Sequence, residues 1–264
     1  SVMLRTRVIP SLLLKGEGLV KTSRFKNPKY VGDPINAVKI FNEKEADELI
    51  VLDIDATSHG REPDYTMISH LAVECRMPLC YGGGIKTRDQ AKRIIGLGVE
   101  KVAISSAAVE NPGLISEIAE EIGSQSVVVV LDVRKPMFGK DYEVWTHNGN
   151  KNSKLKATDI ATKVEALGAG EVVINSIDRD GTMGGYDLNL ARQIRDRVNL
   201  PMTFLGGAGS LDHLAQLIAS CGIVGAAAGS LFVFKGAYRA VLINYPNSTQ
   251  KDEMFHAARA FDAR

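Results

Sequence analysis

The chain carries one succession of segments twice, about half its length apart, and each copy contains a glycine-rich turn. The first copy runs from Ala46-Asp47-Glu48-Leu49-Ile50 through Pro78-Leu79-Cys80-Tyr81-Gly82-Gly83-Gly84 to Val102-Ala103-Ile104-Ser105-Ser106. The second runs from Ala169-Gly170-Glu171-Val172-Val173 through Pro201-Met202-Thr203-Phe204-Leu205-Gly206-Gly207 to Gly225-Ala226-Ala227-Ala228-Gly229-Ser230. In each, an apolar strand leads into Gly-Gly and a helix, and a further strand ends in small or hydroxyl residues. Such turns present backbone N–H groups to a phosphate. Two copies imply two phosphate sites. In a barrel of two related halves those sites face each other across one mouth, so the expected ligand is a bis-phosphorylated small molecule.

A length of 264 residues fits one (βα)8 TIM barrel of the α/β class as well as it fits two domains, and the repeat decides for the barrel. One barrel over residues 1–264 is expected, with half-barrels at about 3–123 and 124–264. The alternation of β-branched runs with amphipathic stretches predicts strands at 7–14, 49–54, 79–81, 101–104, 127–133, 171–176, 202–205 and 224–228. Thr87-Arg88-Asp89-Gln90 fits a capping box, Asn111-Pro112 places a cap before a proline at the first helical position, and Ser210 suits the start of the seventh helix.

Composition narrows the function. A net charge of +1 with mixed signs gives no case for nucleic acid or a membrane surface. Cys75, Cys80 and Cys221 have neither metal-ligand spacing nor a disulfide framework, so they read as core residues of a protein in a reducing cytoplasm, and no metal or cofactor is expected. The longest apolar stretch, 223–234, is too short to span a bilayer, and no targeting signal is seen before the first strand. Ser1-Val2 ahead of Met3 reads as an addition from expression.

Two segments are longer than a barrel needs. Residues 15–32 contain Gly16, Gly18 and several lysines and are expected to form a mobile loop able to close over a ligand. Residues 134–156 hold an alternating stretch before Asn148-Gly149 and suggest a small hairpin. Carboxylates end three strands. Asp132, in Val130-Leu131-Asp132-Val133, is the acid–base candidate, because an apolar strand end is a costly place for an unpartnered carboxylate. Asp53 and Asp178 read as loop-ordering groups, and Asp180-Gly181 as a phosphate-site turn.

Arg7-Val8-Ile9-Pro10, Gly32-Asp33-Pro34, Ala46-Asp47-Glu48-Leu49, Gly60-Arg61-Glu62, Gly82-Gly83-Gly84-Ile85, Ala107-Ala108-Val109-Glu110-Asn111-Pro112, Asp178-Arg179-Asp180-Gly181-Thr182 and Gly206-Gly207-Ala208-Gly209 together resemble the cyclase subunit (HisF) family of imidazole glycerol phosphate synthase. The resemblance covers nearly the whole chain. It implies a (βα)8 barrel that receives ammonia from a glutaminase partner and uses it to cleave and cyclise a bis-phosphorylated nucleotide. It further implies one phosphate site at Gly84, Ser105 and Ser106, another at Asp180, Gly181, Gly207, Gly229 and Ser230, and a substrate-covering Lys21. Ser105 replaces the family's usual Asn, and Asn175 its Thr.

Of the family's two catalytic aspartates, Asp132 matches one and Leu13 stands where the other is expected, in Pro10-Ser11-Leu12-Leu13-Leu14-Lys15. Loss of a positioned acid–base group costs about 10²–10⁴ in rate. The resemblance also implies a ring of alternating charge, Arg7, Glu48, Lys101 and Glu171, at the ammonia entrance. Retained entrance and lost acid together suggest a divergent paralogue that passes ammonia on, with a third amidotransferase enzyme of amidino-sugar (surface polysaccharide) biosynthesis as acceptor. The alternatives are an active cyclase making imidazole glycerol phosphate in histidine biosynthesis, and the related sugar isomerase of that pathway.

Overall fold

The computed structural model describes residues 5–262, so the reading of Ser1-Val2 lies outside the described residues. Eight parallel strands close into a barrel: β1 (Arg7–Lys15), β2 (Leu49–Asp53), β3 (Leu79–Gly82), β4 (Lys101–Ile104), β5 (Val127–Arg134), β6 (Glu171–Ser176), β7 (Met202–Leu205) and β8 (Gly225–Ala228). Each pairs with the next, and β8 returns to β1. The strands are almost continuously apolar because both faces are covered, by helices outside and by the filled lumen inside. The helices are α1 (Pro34–Glu43), α2 (Tyr65–Glu74), α3 (Arg88–Gly96), α4 (Gly113–Ile122), α5 (Ala157–Ala166), α6 (Leu188–Arg197), α7 (Leu211–Cys221) and α8 (Ser248–Asp262). No helix among the described residues is long and apolar enough to cross a membrane.

Pro10 stands in the middle of β1, where a missing N–H would ordinarily break a ladder. It is tolerated because β1 pairs with β8 from Arg7 to Pro10 and with β2 from Ser11 to Leu14, so Pro10 falls where one ladder ends and the other begins. The core is correspondingly divided. A large outer cluster packs helices on strands, and a smaller inner one, including Ile9, Ile50, Cys80, Val128 and Val173, fills the lumen.

The local signals for α3 and α7 hold. Thr87 and Gln90 form a reciprocal capping box, and the Ser210 hydroxyl accepts from the His213 N–H. The cap expected at Asn111 does not form: α4 begins at Gly113, Pro112 itself occupies the cap position, and no side chain caps the helix. The segment 15–32 differs from the expected loop. It is an antiparallel hairpin (Gly18–Ser23 and Lys26–Gly32) continuing β1, since Leu13–Lys15 pair back onto Gly18–Val20. The hairpin expected after β5 is present (Glu143–Thr146 and Lys151–Lys156) and continues that strand in the same manner.

The bottom of the barrel is tied to its last helix through Tyr245, which is 7% exposed. Its hydroxyl donates to the Val8 carbonyl at 2.8 Å and accepts from the Asp47 N–H at 3.0 Å, while Asp47 accepts from the Val8 N–H and from Lys251 of α8. Tyr245→Phe leaves buried partners unsatisfied and is expected to lower stability by about 1–3 kcal/mol, read as a lower urea midpoint at unchanged m-value.

Candidate functional site

Alternation along the strands decides what enters the lumen and the mouth. At the C-terminal ends, Gly84, Ser105 and Ser106 line a cleft of about 520 Å³ with Lys86 and His147. The second hairpin covers its edge: the His147 N–H donates to the Ser106 hydroxyl at 2.8 Å, and the His147 ring pairs with Glu110. Opposite, Lys21, Asp180, Gly181, Gly207, Gly229 and Ser230 enclose a smaller cavity of about 20 Å³. Gly207 is required there. Its φ is +108°, and a Cβ would collide with the Gly185 carbonyl.

Between them lies a central cavity of about 70 Å³, which shares Ser105 and Ser106 with the first cleft and Lys21 and Asp180 with the second. The two residue sets implied by the family resemblance therefore flank one trough. Asp132, Asn175 and Leu13 all line its middle. Asp132 is buried and accepts from the Asn175 amide at 3.2 Å. Burial pushes its carboxyl up to about 7, against the pull of the Asn175 hydrogen bond and with a further push from Asp180. Leu13, together with Leu52, Val130 and Leu205, presents hydrocarbon to the same space.

The other carboxylates are committed to structure. Asp53 accepts from the N–H groups of Asp55 and Ala56 at the start of a short helix, and Asp178 accepts from the Lys135 N–H at 2.8 Å. Asp180 holds the first hairpin over the mouth, accepting from the Thr22 hydroxyl at 2.6 Å and from the Phe25 N–H at 2.9 Å. Lys21, in the first strand of that hairpin, is buried, and burial lowers its pKa against the opposing charge of Asp180.

At the N-terminal face the four charged strand-start residues meet. Arg7 bonds Glu48 at 2.6 Å and Glu171 at 3.3 Å, and Lys101 bonds the same two carboxylates at 2.7 and 3.3 Å. Burial alone would push the Lys101 ammonium down, but Glu171 and Glu48 outweigh it and hold its pKa above the ordinary value. Sequence reasoning missed Thr203, whose hydroxyl donates to Glu171 at 2.8 Å. Its place near the start of β7, next to the strand that begins at Glu171, was the available signal. His147 was also missed as a mouth residue, because only the hairpin's fold brings it to Ser106.

The fold and this trough define a (βα)8 barrel with paired clefts at one end and a charged closure at the other. The family described as histidine biosynthesis protein matches residues 7–239. A protein of Leptospira borgpetersenii provisionally named imidazole glycerol phosphate synthase subunit HisF is 58% identical over 96% of this chain and 100% of its own length. A Vibrio vulnificus protein provisionally named subunit hisF3 is 57% identical over 94% of this chain and 96% of its own, and a Pseudomonas aeruginosa subunit hisF2, likewise provisionally named, is 52% identical over 95% and 99%. The chain belongs to the histidine biosynthesis protein family, among its HisF-type barrels.

The Asp132 carboxyl gives a pH test. The folded state keeps this proton to about pH 7, whereas an unfolded aspartate releases it near pH 4. The group's contribution to stability therefore falls as pH rises from about 4 to about 7. Asp132→Asn removes that slope, so urea unfolding is expected to show the variant gaining on the unmodified chain between pH 5 and pH 8.

Proposed function

We propose that this barrel takes ammonia from a glutaminase subunit docked against its N-terminal face and passes it through the lumen, with its own cyclase activity reduced. The observation that carries the reading is the four-membered ion ring, opening onto an apolar lumen that ends beneath a cavity with a carboxyl on one side and Leu13 on another. An apolar passage sealed from water favours neutral ammonia over ammonium. Buried ion pairs add little net stability, so the ring is better explained by what it admits than by what it holds together.

In this reading Gly84, Ser105 and Ser106 hold one phosphate, while Asp180, Gly181, Gly207, Gly229 and Ser230 form the other site, with Lys21 above the ligand. The bis-phosphorylated ligand then spans the halves about 3–123 and 124–264 of a single barrel over 1–264. Asp132 is the remaining acid–base group. Leucine carries no proton, and loss of the second acid raises the barrier by roughly 3–5 kcal/mol. The ammonia then serves an acceptor outside the barrel, a third enzyme of amidino-sugar synthesis for surface polysaccharide. A second reading, an active cyclase of histidine biosynthesis, is favoured by the two intact clefts and the poised Asp132.

One measurement divides these readings and a second tests the ammonia passage. Supplied with ammonium and the bis-phosphorylated nucleotide, the unmodified chain is expected to turn over slowly, and Leu13→Asp to accelerate it; full activity without the substitution favours the second reading. With the glutaminase bound, Lys101→Ala and Glu171→Ala are expected to impair glutamine-dependent ammonia transfer while phosphate binding stays unchanged. Unchanged transfer in both folded variants would return the four charges to a purely structural role.

A further inference from the structure

The lumen rising from the ion ring is apolar until its upper end, where Ile9, Cys80 and Val173 give way to polar side chains. Ser11 enters the lumen from β1, two residues above Ile9 and two below Leu13, and opens on the central cavity that Asp132 and Asn175 line from the facing wall. It is 2% exposed, and its hydroxyl oxygen is buried with no hydrogen-bond partner. Buried polar groups in native proteins are almost always satisfied, and an exception marks a functional group or a site for a small bound molecule. Alanine would fill the same space without that cost.

The partner such a group needs is small, because the cavity of about 70 Å³ has room for only a few molecules the size of water. It must also travel an apolar lumen uncharged and then find both a donor and an acceptor. Ammonia has one lone pair and three N–H groups. A serine hydroxyl supplies the donor for the lone pair, and a carboxylate accepts from the N–H groups. Asn175, bonded to Asp132 Oδ1 at 3.2 Å, holds that carboxyl in place.

We propose that Ser11 and Asp132, with Asn175 as a positioning residue, form a stopping site for one molecule of ammonia at the head of the lumen. The Ser11 hydroxyl bonds its lone pair and Asp132 accepts from its N–H groups. This rests on the conduit reading above and adds to it a defined last station before the mouth. Leu13, Leu52, Val130 and Leu205 wall the same cavity with hydrocarbon, which offers the molecule no hydrogen bond on those sides. Water offers the same hydrogen-bond chemistry, and the test separates the two.

The experiment uses the chain alone, titrated into ¹⁵N-labelled ammonium chloride at pH 8, with potassium chloride as the salt control. Saturable broadening of the ¹⁵N line is expected, with affinity about three- to tenfold weaker in Ser11→Ala, the effect of one lost hydrogen bond. Asp132→Asn is expected to weaken it as well. Equal affinity in Ser11→Ala would overturn the proposal. So would absence of saturable broadening in the unmodified chain, which would leave the hydroxyl bonded to water only. In either of these failures, impaired glutamine-dependent transfer in Lys101→Ala would leave the conduit standing, so the two claims fail separately.

Discussion

Closure of the parallel sheet is the constraint from which the rest of this molecule follows. Once β5 and β6 pair, from Glu171 opposite Val128 to Ser176 opposite Val133, none of the eight barrel strands has a free edge, and every second side chain is committed to the lumen. On β1 that commits Arg7, Ile9, Ser11 and Leu13 to successive levels, which become ion-ring member, apolar wall, buried hydroxyl and cavity wall. A slip of one residue would turn Val8, Leu12 and Leu14 inward and put Arg7 and Ser11 among the helices.

Charge is placed at the two ends of this lumen and kept out of its middle. At the bottom, two carboxylates are shared between two cations, so that each buried charge has opposite neighbours and none is left alone. At the top, Asp132 has the Asn175 amide as a hydrogen-bond partner and no opposite charge to offset its burial, while Asp180 pushes the same way, and its proton is held accordingly. The same residue type thus serves different ends according to its partners. Asp53 and Asp180 lie along the same cavity, but they are occupied with backbone N–H groups or a hydroxyl, and act as struts.

The mouth is shaped by two hairpins that grow from β1 and β5, strands on opposite sides of the barrel. The first is drawn down by Asp180, which buries Lys21; the second rests on Ser106 through His147. Both coverings are hydrogen-bonded to the turns that line the clefts. Access to either cleft is therefore linked to the position of a hairpin, and a ligand that competed for Ser106 would also compete with His147.

The strand positions, the barrel and the two glycine turns were legible in the sequence, because short β-branched runs between amphipathic stretches, capping residues and Gly-Gly pairs act over a few residues and leave local signatures. The capping box at Thr87 and the hairpin after β5 were read for that reason. The expected loop at 15–32 was misread because nothing local distinguishes a Gly- and Lys-rich loop from a hairpin whose register is set by Leu13–Lys15 and whose tip is anchored 158 residues away at Asp180. The cap at Asn111 was misread because Pro112 moved the helix start by one residue.

The sequence by itself determined the class of fold and the family resemblance, since the first depends on the alternation of elements along the chain and the second on short motifs such as Gly82-Gly83-Gly84-Ile85 and Asp178-Arg179-Asp180-Gly181-Thr182. Only the tertiary structure decided that Arg7, Glu48, Lys101 and Glu171 touch, that Thr203 joins them, and that Ser11 is buried without a partner. It also decided that Asp132 holds its proton to about neutral pH. Contact, burial and the proton affinity that follows from them are properties of distance in space, and closing the barrel brings together residues as far apart as Arg7 and Glu171.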